Sequence, residues 1–162
     1  RLWLYGTTTR RWALILVFAP VSGGFSTTVV PGTRFDAVAH FYPGRGRLRV
    51  ALSDEQPSQP VTGWVPEPSG TASAREAWRR AVAADPWVEA VPVLVSGRFR
   101  LLGNGEPALG DVDGTLPLIV PDDARWVLPL LADSDEVTVA GELSPAGLRA
   151  LSVVTDGEVR AL

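Results

Sequence analysis

The sequence predicts a β-rich α+β fold, with antiparallel sheets and meanders packed around one main helix at about residues 73–84. Three observations carry this expectation. The segment Ser73–Asp85 alone is written as a full helix, with a start, an apolar face of helical period and a stop. Elsewhere the chain alternates short apolar runs of strand length with Gly, Pro, Asn and Asp turns. The end, from Glu136 to Leu162, reads as a three-stranded meander with turns at Ser144–Gly147 and Asp156-Gly157.

Taken in order, Leu2–Gly6 and Trp12–Ala19 flank Thr7–Arg10 and form a β-hairpin, the second strand apolar on both faces. Pro20–Gly24 breaks the pattern, and Pro31-Gly32 punctuates it again. Thr33–Tyr42 then reads as one strand, with Phe35, Ala37, Ala39 and Phe41 on one face. Pro43-Gly44 and Gly46 turn the chain into Arg47–Leu52, where Arg45, Arg47 and Arg49 alternate with Leu48, Val50 and Leu52. Asp54–Gly70, rich in Pro, Ser, Gln and Glu, has no period and reads as a long loop or linker.

In the helix, Ser73 and Glu76 have capping-box spacing. Positions 74, 77, 78, 81 and 82 form the apolar stripe, and Arg75, Arg79 and Arg80 lie off it. Asp85-Pro86 stops the helix, leaving Trp87 and Val88 to fold back on the stripe. Strand Val91–Leu102, a tight turn at Gly103-Asn104-Gly105, a turn at Asp111–Gly114 and strand Thr115–Val120 follow. Asp122 or Asp123 is placed to cap a short helix through Trp126 to Leu131, which Pro129 limits. Trp3, Trp12, Trp78, Trp87 and Trp126 lie in apolar contexts and are expected in the core.

At 162 residues the chain is one domain, divisible into 1–53, a 54–72 loop, a 73–85 helix and a β-rich 86–162, with room for two barrel-like halves that the helix braces. A net charge of −3 excludes whole-surface attraction to nucleic acid or anionic membrane, and leaves a local patch open. The absence of Cys excludes disulfides, thiolate nucleophiles and Cys-based metal sites. All 15 basic residues are Arg, and Asn appears once, at Asn104, a bias that points to a high-GC bacterial genome. That bias also weakens the meaning of any single Arg. Met is absent even at position 1, so the chain is expected to be part of a longer protein. The Trp12–Ala19 run is far short of the ~20 apolar residues that span a bilayer, and the expected location is cytoplasmic.

Candidate chemistry is sparse. His40 is the sole histidine, so a hydrolytic triad or a His-based sensor site has to use it with a nearby carboxylate, and no Gly-x-Ser-x-Gly elbow accompanies it. Asp111-Val-Asp113-Gly114 starts like a calcium loop but lacks the later ligands. Gly103-x-Gly105 has neither the third glycine nor the Lys of a phosphate loop. The binding candidates are the Arg45, Arg47 and Arg49 stripe with Tyr42 and His40, the helix residues Arg75 and Arg79, and Trp64 in the loop. A metal site and a cofactor are not expected.

Phe41-Tyr-Pro-Gly44 with Leu48-Arg49, Ala83-Ala-Asp-Pro-Trp87, Val137-Thr-Val-Ala-Gly-Glu142 and Gly147-Leu-Arg149 occur in that order. In these words the chain resembles the C-terminal region of actinobacterial SWIM-type zinc finger proteins. The family's Cys-x-Cys…Cys-x-His zinc motif cannot lie in a chain without Cys, so no ligand residue carries over. The resemblance implies a non-catalytic accessory domain that contacts its parent chain, a protein partner or nucleic acid, with no membrane role.

Overall fold

The computed structural model describes residues 1–16, 29–44, 48–61, 66–155 and 158–162. The far end of the Trp12–Ala19 run, the Pro20–Gly24 break, Arg45, Arg47, Trp64 and the Asp156-Gly157 turn lie outside the described residues. The chain divides into two compact units, Arg1–Val61 and Thr62–Leu162.

In the first unit, β1 (Leu2–Gly6) and β2 (Arg11–Ile15) form the expected hairpin. Its turn is closed by the Arg10 N–H on the Gly6 carbonyl at 2.7 Å. Trp12 meets Trp3 and Tyr5 edge-on, with ring centroids 6.4 and 5.2 Å apart. Thr33–Tyr42 is not one strand. It splits into β3 (Thr33–Arg34) and β4 (Val38–Phe41), because the supposed linker returns to it. Gln56 N–H bonds the Asp36 carbonyl, Val61 N–H bonds that of Gly32, and β6 (Gln59–Pro60) pairs with β3. β4 pairs with β5 (Val50–Ser53), and Leu14 bridges to Arg49 in parallel. The alternation around β5 is as expected, with Arg49 exposed, Val50 buried and Ala51 exposed.

The second unit opens with α1 (Thr71–Ala84), followed by β7 (Val91–Leu101), β8 (Pro107–Asp111) and β9 (Gly114–Ile119). A 3-10 turn, Asp122–Val127, runs into α2 (Leu128–Asp133). The expected meander, β10 (Val137–Ser144), β11 (Gly147–Thr155) and β12 (Glu158–Ala161), completes it. The strand order is β10-β7-β8-β9-β11-β12, and β10 also pairs with β11, so five strands close into a barrel. Every pair is antiparallel except β9–β11. Numbered from β7, the barrel runs 1-2-3-5-4 and back to 1, with the helical segment between the third and fourth strands. This is the connectivity of the Greek-key OB barrel.

Two glycines make closure geometrically possible. β7 serves two neighbours: its first half pairs with β10 and its second with β8. At the junction, a Cβ on Gly97 would lie 2.8 Å from the Gly110 carbonyl oxygen. Gly141 sits at a register shift in β10, where a Cβ would run into the Arg149 backbone of β11. The interior is apolar, built on Val93, Val95, Leu109, Leu116, Leu118, Val139, Leu148 and Val153. α1 brings Ala74 and Trp78 to the end where β7 and β9 begin, and the 3-10 turn and α2 bring fully buried Val127 and Leu131 to the core.

Several local expectations are corrected. α1 starts at Thr71, two residues before the expected capping box, and no side chain of its own N-terminal segment caps it. The Asp111 carboxylate takes that role from across the fold, and exposed Glu76 pairs instead with Arg79 at 3.3 Å. The helix does stop at Asp85, before Pro86. Val88 packs on the core, whereas Trp87 is 88% exposed, its N–H bonded to the Asp85 carboxylate at 3.1 Å in a turn that points the indole outward. Trp126 is also mainly exposed, at 53%. Pro121, not Asp122 or Asp123, precedes the 3-10 turn. Pro129 lies in the first turn of α2, where its missing N–H breaks no helical bond.

Candidate functional site

The sequence-derived candidates do not form one site. His40 is exposed on β4, with Nε2 2.9 Å from the Ser53 hydroxyl, and Ser53 donates to the Asp54 carboxylate at 3.2 Å. In a hydrolytic triad the histidine stands between the hydroxyl and the acid, which holds its other ring nitrogen. Here the Ser53 hydroxyl stands between His40 and Asp54 instead. Arg49 stacks over half-exposed Tyr42, Cζ 5.5 Å from the ring centroid, and Arg11 lies over Phe41 at 4.5 Å. Arg79 is exposed and tied to Glu76, and Arg80 is exposed. Arg75 does not share their solvent face: its guanidinium reaches β9 and donates to the Thr115 carbonyl at 2.6 Å.

A different arrangement stands out on the barrel. Past Gly97 the side chains of β7 alternate, with Arg98 and Arg100 outward and Phe99 packed on the core. Across the sheet, Arg98 faces Gly110 and Arg100 faces Ala108, which in turn face Thr115 and Pro117 of β9. The outer face of β7–β8–β9 therefore has small residues along its middle strand. Arg100 lies across them, Nε 3.2 Å from where a Gly110 Cβ would stand. Among the described residues neither Arg98 nor Arg100 forms an ion pair. The loop Leu102–Glu106 borders this face, and the Ser144–Gly147 turn lies beyond β9. In OB barrels the second and third strands, with the loops between strands one and two and between four and five, carry the ligand.

The β8–β9 turn anchors the face to α1. The Asp111 carboxylate accepts from the Thr71 N–H and hydroxyl, both at 2.6 Å, and from the N–H groups of Asp113 and Gly114 at 2.9 and 3.0 Å. Desolvation pulls the carboxyl pKa up, but these hydrogen bonds, led by Thr71, outweigh it and hold Asp111 below the ordinary carboxylate value. The Asp-x-Asp-Gly motif is thus a turn and a helix anchor. Among the described residues no group of three or more His, Cys, Asp or Glu could hold a metal ion, and no helix is long and apolar enough to cross a membrane.

Compared with known proteins, the chain matches no family model, no curated protein and no solved structure. The barrel's class is therefore defined by its own strand order and pairing.

Proposed function

We propose that the chain is a non-catalytic interaction module of a larger, cytoplasmic bacterial protein of the SWIM zinc-finger kind, and that its barrel face holds an acidic protein segment. The parent chain or a separate protein partner supplies that segment. The observation that supports this reading is the pair Arg98 and Arg100, exposed on the face where OB barrels take ligands, with no ion-pair partner among the described residues. Side chains two apart on a strand are spaced by about 7 Å, which suits alternate carboxylates of an extended chain. Single-stranded nucleic acid meets the same charge but also stacks its bases on aromatic platforms, and the one aromatic side chain of β7, Phe99, packs on the core.

Fluorescence anisotropy tests the reading with a labelled peptide of alternating Glu and apolar residues, and with a single-stranded oligonucleotide. The peptide should bind at low salt, weaken between about 50 and 200 mM salt, and lose most of its affinity in the Arg98→Ala/Arg100→Ala double variant. Peptide binding that the double variant leaves unchanged would overturn the proposal. Tighter binding of the oligonucleotide through the same arginines would reassign the face to nucleic acid.

A further inference from the structure

A cleft of about 180 Å³ opens between α1, β9 and the turn from β10 to β11. It is lined by Trp78, Pro117 and Pro145 together with the core residues Leu116 and Leu143. The Ser144 hydroxyl is already engaged, donating to the Gly147 carbonyl and accepting from the Ala146 N–H, both at 3.3 Å. Arg75 is the charged group on the lining. One of its terminal nitrogens bonds the Thr115 carbonyl, and among the described residues no carboxylate lies within ion-pair distance of it. Arg75 is half-buried, and the one hydrogen bond to Thr115 leaves further N–H donors of its guanidinium open to a ligand or solvent.

We propose that this cleft is a binding site for a small monocarboxylate carried on a flat apolar ring. A guanidinium pairs with a carboxylate through two parallel N–H···O bonds in one plane, so Arg75 fixes the charged end. Indole and proline walls take the ring, where aromatic contact and apolar burial add to the pairing. The volume lies below the ~300–1,000 Å³ of pockets for drug-sized ligands, which sets the limit near a single ring. A single negative charge is preferred to two. Asp111 and Asp113 stand on the turn beside Gly114, whose own surroundings include the Arg75 guanidinium, and they oppose a dianion such as a phosphate ester. The site is separate from Arg98 and Arg100 and does not depend on what the barrel face holds.

Titration of the 15N-labelled full chain with benzoate, followed on the Trp78 indole and Arg75 Nε–H resonances, tests the proposal. The Trp78→Phe variant assigns the indole signal. Benzoate should give saturable shifts at both groups with a dissociation constant on the order of 1 mM, as expected for so few atoms. Benzamide, with the same shape and no charge, should give none, and phenylphosphonate weaker ones. Arg75→Gln should remove the response, and Pro145→Trp should remove it by filling the cleft while leaving Arg75 in place. If Arg75→Gln fails to fold, the Pro145→Trp variant decides. No saturable shift with benzoate, an equal response to benzamide, or shifts that persist in Pro145→Trp would overturn the proposal. None of these outcomes touches the acidic-segment reading, which turns on Arg98 and Arg100.

Discussion

The Asp111 carboxylate joins two elements that are far apart in sequence, because it accepts from Thr71 at the start of α1 and from the N–H groups of its own turn. It satisfies one donor that every helix N-terminus leaves open, so it does the work of an N-cap from the end of β8. Asp111→Ala should lower stability by about 1–2 kcal/mol, the usual cost of a lost cap, measured by urea denaturation. The pH dependence has a definite sign. The folded-state pKa lies below the ordinary value near ~3.9, so the stabilisation is present above that value and is lost as pH falls through the folded pKa. In Asp111→Asn the acid limb of the stability curve should flatten below about pH 4; an unchanged acid limb would refute the assignment. The turn at Asp111–Gly114 was legible in the sequence, since Asp and Gly favour it locally. The cap was not, because its partner lies 40 positions away and Ser73 with Glu76 offered a nearer candidate. Arg98-Phe99-Arg100 shows the same limit. These residues lay within a predicted strand but were not singled out, because only the pairing with Ala108 and Gly110 gives the two arginines a shared face.

Elements were legible where their signals are local. The Asp85-Pro86 stop, the Gly103–Gly105 turn and the three C-terminal strands follow from backbone chemistry at each position, and each lies within a residue or two of its expected place. Trp78 packs on the core as expected, but the exposure of Trp87 and Trp126 was not legible, because an apolar neighbourhood in sequence does not say which way a side chain points. The contrast can be measured. Leu131 is 1% exposed at the heart of the second unit, so Leu131→Ala should cost about 2–5 kcal/mol through lost burial and the cavity left behind. Trp87, the larger side chain, is 88% exposed, and Trp87→Ala should stay within about 0.5 kcal/mol of the parent. Guanidinium denaturation of both variants tests the pair together. A large loss in Trp87→Ala would mean that the indole has a buried partner.

At the scale of the molecule, the β-rich α+β class was readable from composition and spacing. Of the two barrel-like halves expected, among the described residues only the second unit holds a barrel, and the pairings that close it were not readable. Closure rests on β7 pairing with β10 and on the short parallel contact of β9 with β11 at Leu148–Leu118 and Arg149–Ile119, neither of which has a local signature. The connected core also falls in one unit: every residue of the main cluster, from Ala74 to Leu162, belongs to Thr62–Leu162. The described residues of the first unit bury only Ala13, Val29 and Val50 among apolar side chains. A closed barrel with helices on it has its own interior and leaves few unpaired strand edges, the conditions under which a domain of about 100 residues folds cooperatively. The segment Thr62–Leu162 expressed alone should therefore give dispersed amide resonances and one unfolding transition, with circular dichroism and fluorescence melting together. A compact state that binds a hydrophobic dye and lacks a sharp transition would show instead that the barrel needs the first unit to set its packing.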